Sequence, residues 1–134
     1  MNREPSEPSM NPAATVTLID GVRVVVPDSL DLMTPYVLRE QRDWFEDEIK
    51  FLRKLLRPGW KAVDIGASYG VYTLSMAHAV GPTGFVWAFE PASDSAAFLQ
   101  AGIAANGFTH VKLERSALSS SDGIEQLSRL RHSD

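Results

Sequence analysis

The sequence predicts an α/β fold: a parallel sheet sandwiched by helices, preceded by a β-hairpin and an amphipathic helix. Three observations carry this. From residue 60 onward, short apolar runs at 60–65, 85–89 and 110–114 alternate with helix-length stretches at 71–80 and 93–105, the pattern of consecutive βαβ units with right-handed crossovers. Two β-branched runs, 15–19 and 22–26, flank Asp20-Gly21, a pair suited to a two-residue hairpin turn. Between 36 and 57, Trp44, Phe45, Ile49, Leu52, Leu55 and Leu56 recur at helical spacing and give one apolar stripe.

Each element has its own punctuation. Residues 1–14 carry Pro5, Pro8 and Pro12 among Ser, Glu and Asn, so they read as a disordered arm. Pro27-Asp28 ends the second hairpin strand, and Pro58-Gly59 stops the helix, closing an N-terminal unit at 15–57. That helix has acids toward its front and Lys50, Arg53, Lys54 and Arg57 toward its rear, the order that complements the helix dipole. Gly81-Pro82 and Asn106-Gly107 end the two later helices. Residues 58–134 form the second unit, whose last stretch holds an Asp122-Gly123 turn and a weakly amphipathic piece at 124–130.

The composition bounds the function. A chain of 134 residues with 44% hydrophobic and 22% charged residues is long enough for one domain. Net charge is −4, from 13 basic against 17 acidic residues, opposite to the basic footprint that neutralises phosphates. Nucleic acid and anionic membranes are therefore not the expected partners. No run approaches the length that crosses a bilayer, and a cytoplasmic location is expected. With no cysteine and no close His/Asp/Glu cluster, no metal site is expected. His78, His110 and His132 are read as structural or solvated.

The segment Val63-Asp64-Ile65-Gly66-Ala67-Ser68-Tyr69-Gly70 lies where a strand passes into a helix, the place where a parallel sheet presents its ligand crevice. Glycine there lets a ligand approach the backbone, and helix N–H groups can meet a carboxylate or phosphate. Three readings compete. A dinucleotide fingerprint starting at Gly66 would need glycine at 68 and 71, where Ser68 and Val71 stand. A G-x-S-x-G nucleophile elbow matches Gly66-Ala67-Ser68-Tyr69-Gly70, and Ser68, Asp122 and His132 follow hydrolase triad order. Against it, only one hairpin and one helix precede Ser68, without an HGGG-like oxyanion segment. The third reading is D-x-G-x-x-x-G with an acid ending the next strand, filled by Asp64, Gly66, Gly70 and Glu90. A strand-end carboxylate can accept both hydroxyls of a ribose, and a fixed carboxylate suits an ammonium group. Carboxylate, ammonium, ribose and purine together describe S-adenosylmethionine.

Beyond that pattern, VDIGASYGVYTL, GPTGFVWAFEP, HVKLERSALSSSDG and the approach RDWFEDEIKFLRKLLRPGW resemble successive blocks of class I S-adenosylmethionine-dependent methyltransferases, more narrowly the FkbM family. The resemblance runs from about residue 39 to 123. It implies a Rossmann-like, seven-stranded, mostly parallel sheet and methyl transfer, commonly to a hydroxyl of a small molecule or sugar. It also implies roles: Asp64 holding the methionine amino group, Gly66, Ala67, Ser68, Tyr69 and Gly70 forming the loop over the cofactor, Glu90 followed by Pro91 binding the ribose, and Ser116 and Ala117 lying near adenine. Ser68 stands where the family often has asparagine, and Ser120 where it has an acid. The strands that would complete the sheet and shape the acceptor pocket do not fit in the 20 residues after the third strand, so a truncated methyltransferase-like chain is expected, with no general base to nominate.

Three function classes remain at this point: a methyltransferase or its cofactor-binding part, a Ser68 hydrolase, and a non-catalytic module. In the last, strand 60–65, central in the complete fold, would be an exposed edge through which the chain forms a homo-oligomer.

Overall fold

A computed structural model of the chain describes residues 12–118 and residue 120. The elements follow in the order β1 (Ala13–Thr17), β2 (Arg23–Pro27), α1 (Met33–Gln41), α2 (Asp47–Leu55), β3 (Lys61–Ile65), α3 (Val71–Val80), β4 (Phe85–Phe89), α4 (Ser93–Ala105) and β5 (Val111–Glu114). The expected α/β order is thus present, and β3, β4 and β5 form a parallel sheet in that order, with β3 at an edge. Residues 1–11, the Asp122-Gly123 turn and the piece at 124–130 lie outside the described residues.

The antiparallel pair β1–β2 begins at Ala13, inside the segment expected to be a loose arm. Its turn also differs from the two-residue form. Leu18 and Val22 still pair, the Leu18 N–H donating to the Val22 carbonyl at 2.8 Å, and the Gly21 N–H donates to the Leu18 carbonyl at 2.9 Å. The loop is therefore Ile19-Asp20-Gly21, a turn followed by a left-handed glycine (φ 86°), the common three-residue hairpin. The Asp20 carboxylate takes the Val22 N–H at 3.2 Å, which favours this longer loop.

The single helix expected over 36–57 is two helices. Arg42 adopts a left-handed conformation (φ 56°) and caps α1 by donating its N–H to the Leu38 carbonyl. Its own carbonyl accepts the Ile19 N–H at 2.9 Å, so the break docks on the hairpin loop. The physical cause lies far along the chain. Asp43 turns inward to a bidentate pair with Arg53, at 2.7 and 2.8 Å, and Arg53 also reaches Asp20 at 3.1 Å and Ser75 at 3.3 Å. One guanidinium thereby joins the hairpin loop, the α1–α2 break, α2 and α3.

Helix α3 is apolar nearly all round because it is surrounded: the sheet lies on one side, α2, α4 and the hairpin on others. Leu74, Ala77 and Val80 are fully buried in it. Val24, Val26, Leu38, Ile49, Leu74, Leu99 and Ala88 belong to one apolar cluster, so hairpin and helices share a core with the sheet. Asn106 at the end of α4 completes the join: its side chain accepts the Arg23 N–H at 2.9 Å and donates to the Arg23 carbonyl at 2.7 Å.

Both crossover helices cover the sheet face made by Ala62, Asp64, Val86, Ala88, Val111 and Leu113. Among the described residues, the other face is bare. Val63 and Ile65 stand 56% and 64% exposed on it, beside Phe85, Trp87 and Phe89, with the Phe85 and Trp87 rings 4.4 Å apart. Two apart on one strand, Trp87 and Phe89 read from sequence alone as facing the core under a helix. The period of two instead gives the helices the small residues Val86 and Ala88 and leaves the aromatics on the open side.

Candidate functional site

The site lies at the carboxyl ends of β3 and β4, where two acids close adjacent parallel strands. Asp64 and Ala88 are register partners, as are Ile65 and Phe89, so Glu90 follows directly across from the start of the loop after β3. The loop is bound to β4 by its backbone: the N–H groups of Gly66 and Ala67 both donate to the Phe89 carbonyl at 2.9 Å. Glu90 is 7% exposed. One of its carboxylate oxygens accepts the Ser68 N–H and the other the Ala92 N–H, each at 2.8 Å, which fixes the loop and the start of α4 together.

The two loop glycines serve different ends. A methyl group built at Gly66 would meet nothing within 4 Å, leaving open room for a ligand against the backbone. At Gly70 it would sit 2.2 Å from Leu99 Cδ1, and φ is 90°, so glycine is required there for the close approach of α4 and for the turn into α3. Ser68 is also left-handed, at φ 53°, a conformation asparagine or glycine adopts more readily.

Asp64 accepts a hydrogen bond from the Thr73 hydroxyl at 2.6 Å. Burial pushes its carboxyl above the usual carboxylate range, hydrogen bonds from the Thr73 hydroxyl and N–H oppose this, and the nearby charge of Glu90 adds to the rise. A cavity of about 240 Å³ opens beside it, lined by Met33, Thr34, Trp44, Glu46, Asp64, Gly66, Ala67, Ser68, Tyr69, Val71 and Tyr72. Of the residues expected to bind a cofactor, Asp64, Gly66, Ala67, Ser68 and Tyr69 therefore line one cavity. Tyr69 is 3% exposed, and its ring packs edge-on to Phe98 at 5.7 Å, so its bulk belongs to the core. Gly70 and Glu90 support the loop from behind, with Pro91 between Glu90 and Ala92. Ser116 and Ala117 are exposed just beyond β5 at the same end of the sheet, outside this cavity.

Similar solved structures share the fold of part of this chain. A candidate rRNA methylase from Clostridium thermocellum matches with a TM-score of 0.51 and 19% identity, over 53% of this chain and 39% of its own. An S-adenosylmethionine-dependent O-methyltransferase from Thermotoga maritima matches with a TM-score of 0.50 and 19% identity, over 70% of this chain and 36% of its own. The likeness is one of fold, a parallel sheet with crossover helices matching part of each of these methyltransferases. This chain spans less than two fifths of the length of either structure. No family model and no curated protein matches the sequence.

In an open parallel α/β sheet the crevice falls at the carboxyl ends of the strands, which is where the cavity is found. The wall contributed by Met33, Thr34, Trp44 and Glu46 was missed in the sequence. Glu46 reads there as one of several acids favouring a helix start, and Trp44 as part of an apolar stripe. Among the described residues no histidine lines the cavity: His78 is exposed, and His110 is buried, its Nε2 donating to the Ala77 carbonyl at 2.7 Å. Asp122 and His132 lie outside the described residues. Nor do the described residues contain a group of three or more His, Cys, Asp or Glu able to hold a metal ion, or a helix long and apolar enough to cross a membrane.

Proposed function

We propose that this chain binds S-adenosylmethionine at the carboxyl ends of β3 and β4 and is the cofactor-binding part of an O-methyltransferase of the FkbM kind. The observation that carries the reading is the pairing of Asp64 and Glu90 at the ends of adjacent parallel strands, on either side of a loop that leaves open space at Gly66. These groups fit the cofactor. Asp64 offers a partly buried carboxylate for the ammonium. Each Glu90 oxygen accepts one backbone N–H and keeps a lone pair for a ribose hydroxyl. When bound, the cofactor supplies a sulfonium methyl open to in-line attack by an acceptor oxygen. The protein's part is to hold the two in line, which removes much of the entropic barrier. Small-molecule and sugar hydroxyls are the acceptors this reading favours.

The test is calorimetric binding of S-adenosylmethionine to the full chain, with Asp64→Asn and Glu90→Gln as controls. Saturable binding to the parent that both variants weaken supports the reading; no binding by the parent ends it.

A second reading is favoured by β3, whose outer edge is unpaired among the described residues and whose Val63 and Ile65 are exposed. Unsatisfied backbone groups of such an edge match those of a second copy turned about a two-fold axis. In this reading the chain is a homo-oligomer through β3, with or without the cofactor. Light scattering tests it: a dimer that Val63→Lys converts to monomer supports it, and a monomeric parent ends it.

A further inference from the structure

The cavity has one wall that the strand ends do not supply. Glu46, in the break between α1 and α2, reaches Tyr72 on α3, and its Oε1 accepts two hydrogen bonds, from Trp44 Nε1 at 2.5 Å and from the Tyr72 hydroxyl at 3.3 Å. Among the described residues, no hydrogen bond or ion pair engages its other oxygen. The Tyr72 phenol is pushed up to about 12 by burial and by the charge and hydrogen bond of Glu46, so it stays a donor to this carboxylate at neutral pH.

Among the described residues no lysine, arginine or histidine lines the cavity, yet two carboxylates do, Asp64 and Glu46. The contrast with the rest of the molecule is informative. Asp20 and Asp43, also well shielded, share the guanidinium of Arg53, and Asp28 pairs with Arg39. Among the described residues Asp64 has only the neutral Thr73 hydroxyl and N–H, and Glu46 only an indole and a phenol. Two carboxylates without a cation, set among Trp44 and Tyr72, make a place for a ligand with two positive charges, one of them carried on an apolar skeleton.

We infer that Glu46, held by Trp44 and Tyr72, recognises the positive charge of the cofactor's sulfonium while Asp64 takes its ammonium, so that the site prefers the charged donor to the neutral thioether left after methyl transfer. This rests on the cofactor reading above. The preference has a purpose in turnover: once the methyl has gone, sulfur is uncharged, and the attraction to Glu46 that held the donor is lost while that to Asp64 remains. Release of the spent cofactor is thereby favoured over release of the fresh one.

Calorimetric titration of the full chain with S-adenosylmethionine and, separately, S-adenosylhomocysteine separates the two carboxylates, because both ligands carry the ammonium and only the first carries the sulfonium. Glu46→Gln is expected to weaken S-adenosylmethionine about tenfold and leave S-adenosylhomocysteine unchanged, which also shows the variant folded. Asp64→Asn weakens both. Should Glu46→Gln fail to fold, Glu46→Asp, with the carboxylate drawn back, is expected to lower the same ratio. An equal loss for both ligands, or no loss for either, overturns the role of Glu46. Failure of the parent chain to bind either ligand would instead overturn the cofactor reading itself, and this inference with it.

Discussion

The carboxylate of Glu90 accepts the backbone N–H of Ser68 at 2.8 Å, so the acid at the end of β4 holds the loop that follows β3. The same side chain takes the Ala92 N–H at 2.8 Å. A residue expected to read a ribose is thus also a strut between two βα connections, and binding and stability are coupled through it. Glu90→Ala leaves one buried and one half-buried donor unpaired and is expected to cost roughly 2–4 kcal/mol, measured by urea unfolding. A change below 0.5 kcal/mol, on the order of an ordinary surface substitution, would show that the loop holds itself.

Ser68 sits at φ 53° in that loop. A left-handed conformation costs an L residue about 1–2 kcal/mol, and part of this is recovered by glycine. Ser68→Gly is therefore expected to raise stability by about 0.5–1 kcal/mol while keeping cofactor affinity, since the loop contributes its N–H rather than its hydroxyl to Glu90. The paired measurements are the thermal midpoint and the dissociation constant.

The pH dependence of stability carries a signature of Asp64. Its folded-state carboxyl titrates above the usual 3.8, so the folded state holds the proton longer than the unfolded chain, and stability declines as pH rises from 3.8 through the folded value. Asp64→Asn keeps an acceptor for Thr73 and removes the buried charge. The variant is expected to have a higher thermal midpoint than the parent at pH 7, to lack the decline above pH 3.8, and to bind the cofactor poorly. Stability gained and affinity lost in one substitution is what a binding group, rather than a structural one, produces.

Arg53 behaves in the opposite way. Burial tends to raise the Asp43 carboxyl, but hydrogen bonds from Arg53 and the Trp44 N–H, with the charges of Arg53 and Lys50, bring it below 3.8. That contribution is present above the unfolded value and lost as pH falls through the folded one. Arg53→Ala strands Asp43 and Asp20, both largely buried, and is expected to cost about 3–5 kcal/mol. Its acid-unfolding profile should lose the contribution below pH 3.8 that the parent shows.

Sequence pattern located the strands and helices from residue 60 onward because glycine and proline mark their ends and the period changes cleanly from 2 to 3.6 between them. Asp64, Gly66 and Glu90 were legible for the same reason: their meaning depends on place in a βα unit, which the pattern supplies. The break at Arg42 was not, because it is set by Arg53 meeting Asp43, Asp20 and Ser75, contacts that span up to 33 positions. For the same reason the Glu46 wall stayed hidden, since only that break brings Trp44 and Glu46 over Tyr72. Trp87 and Phe89 show a third kind of miss. A period of two separates the faces of a strand and does not say which face the helices cover.

The account turns on the cavity beside Asp64 and under the loop that Glu90 holds, and thermal unfolding of the full chain with and without S-adenosylmethionine tests it most directly. At about a hundred times the dissociation constant the ligand should stabilise the folded chain by roughly 2.7 kcal/mol. The account predicts a cooperative transition whose midpoint rises with ligand in the parent and does not rise in Glu90→Ala. A cooperative transition unmoved by ligand in the parent would contradict it.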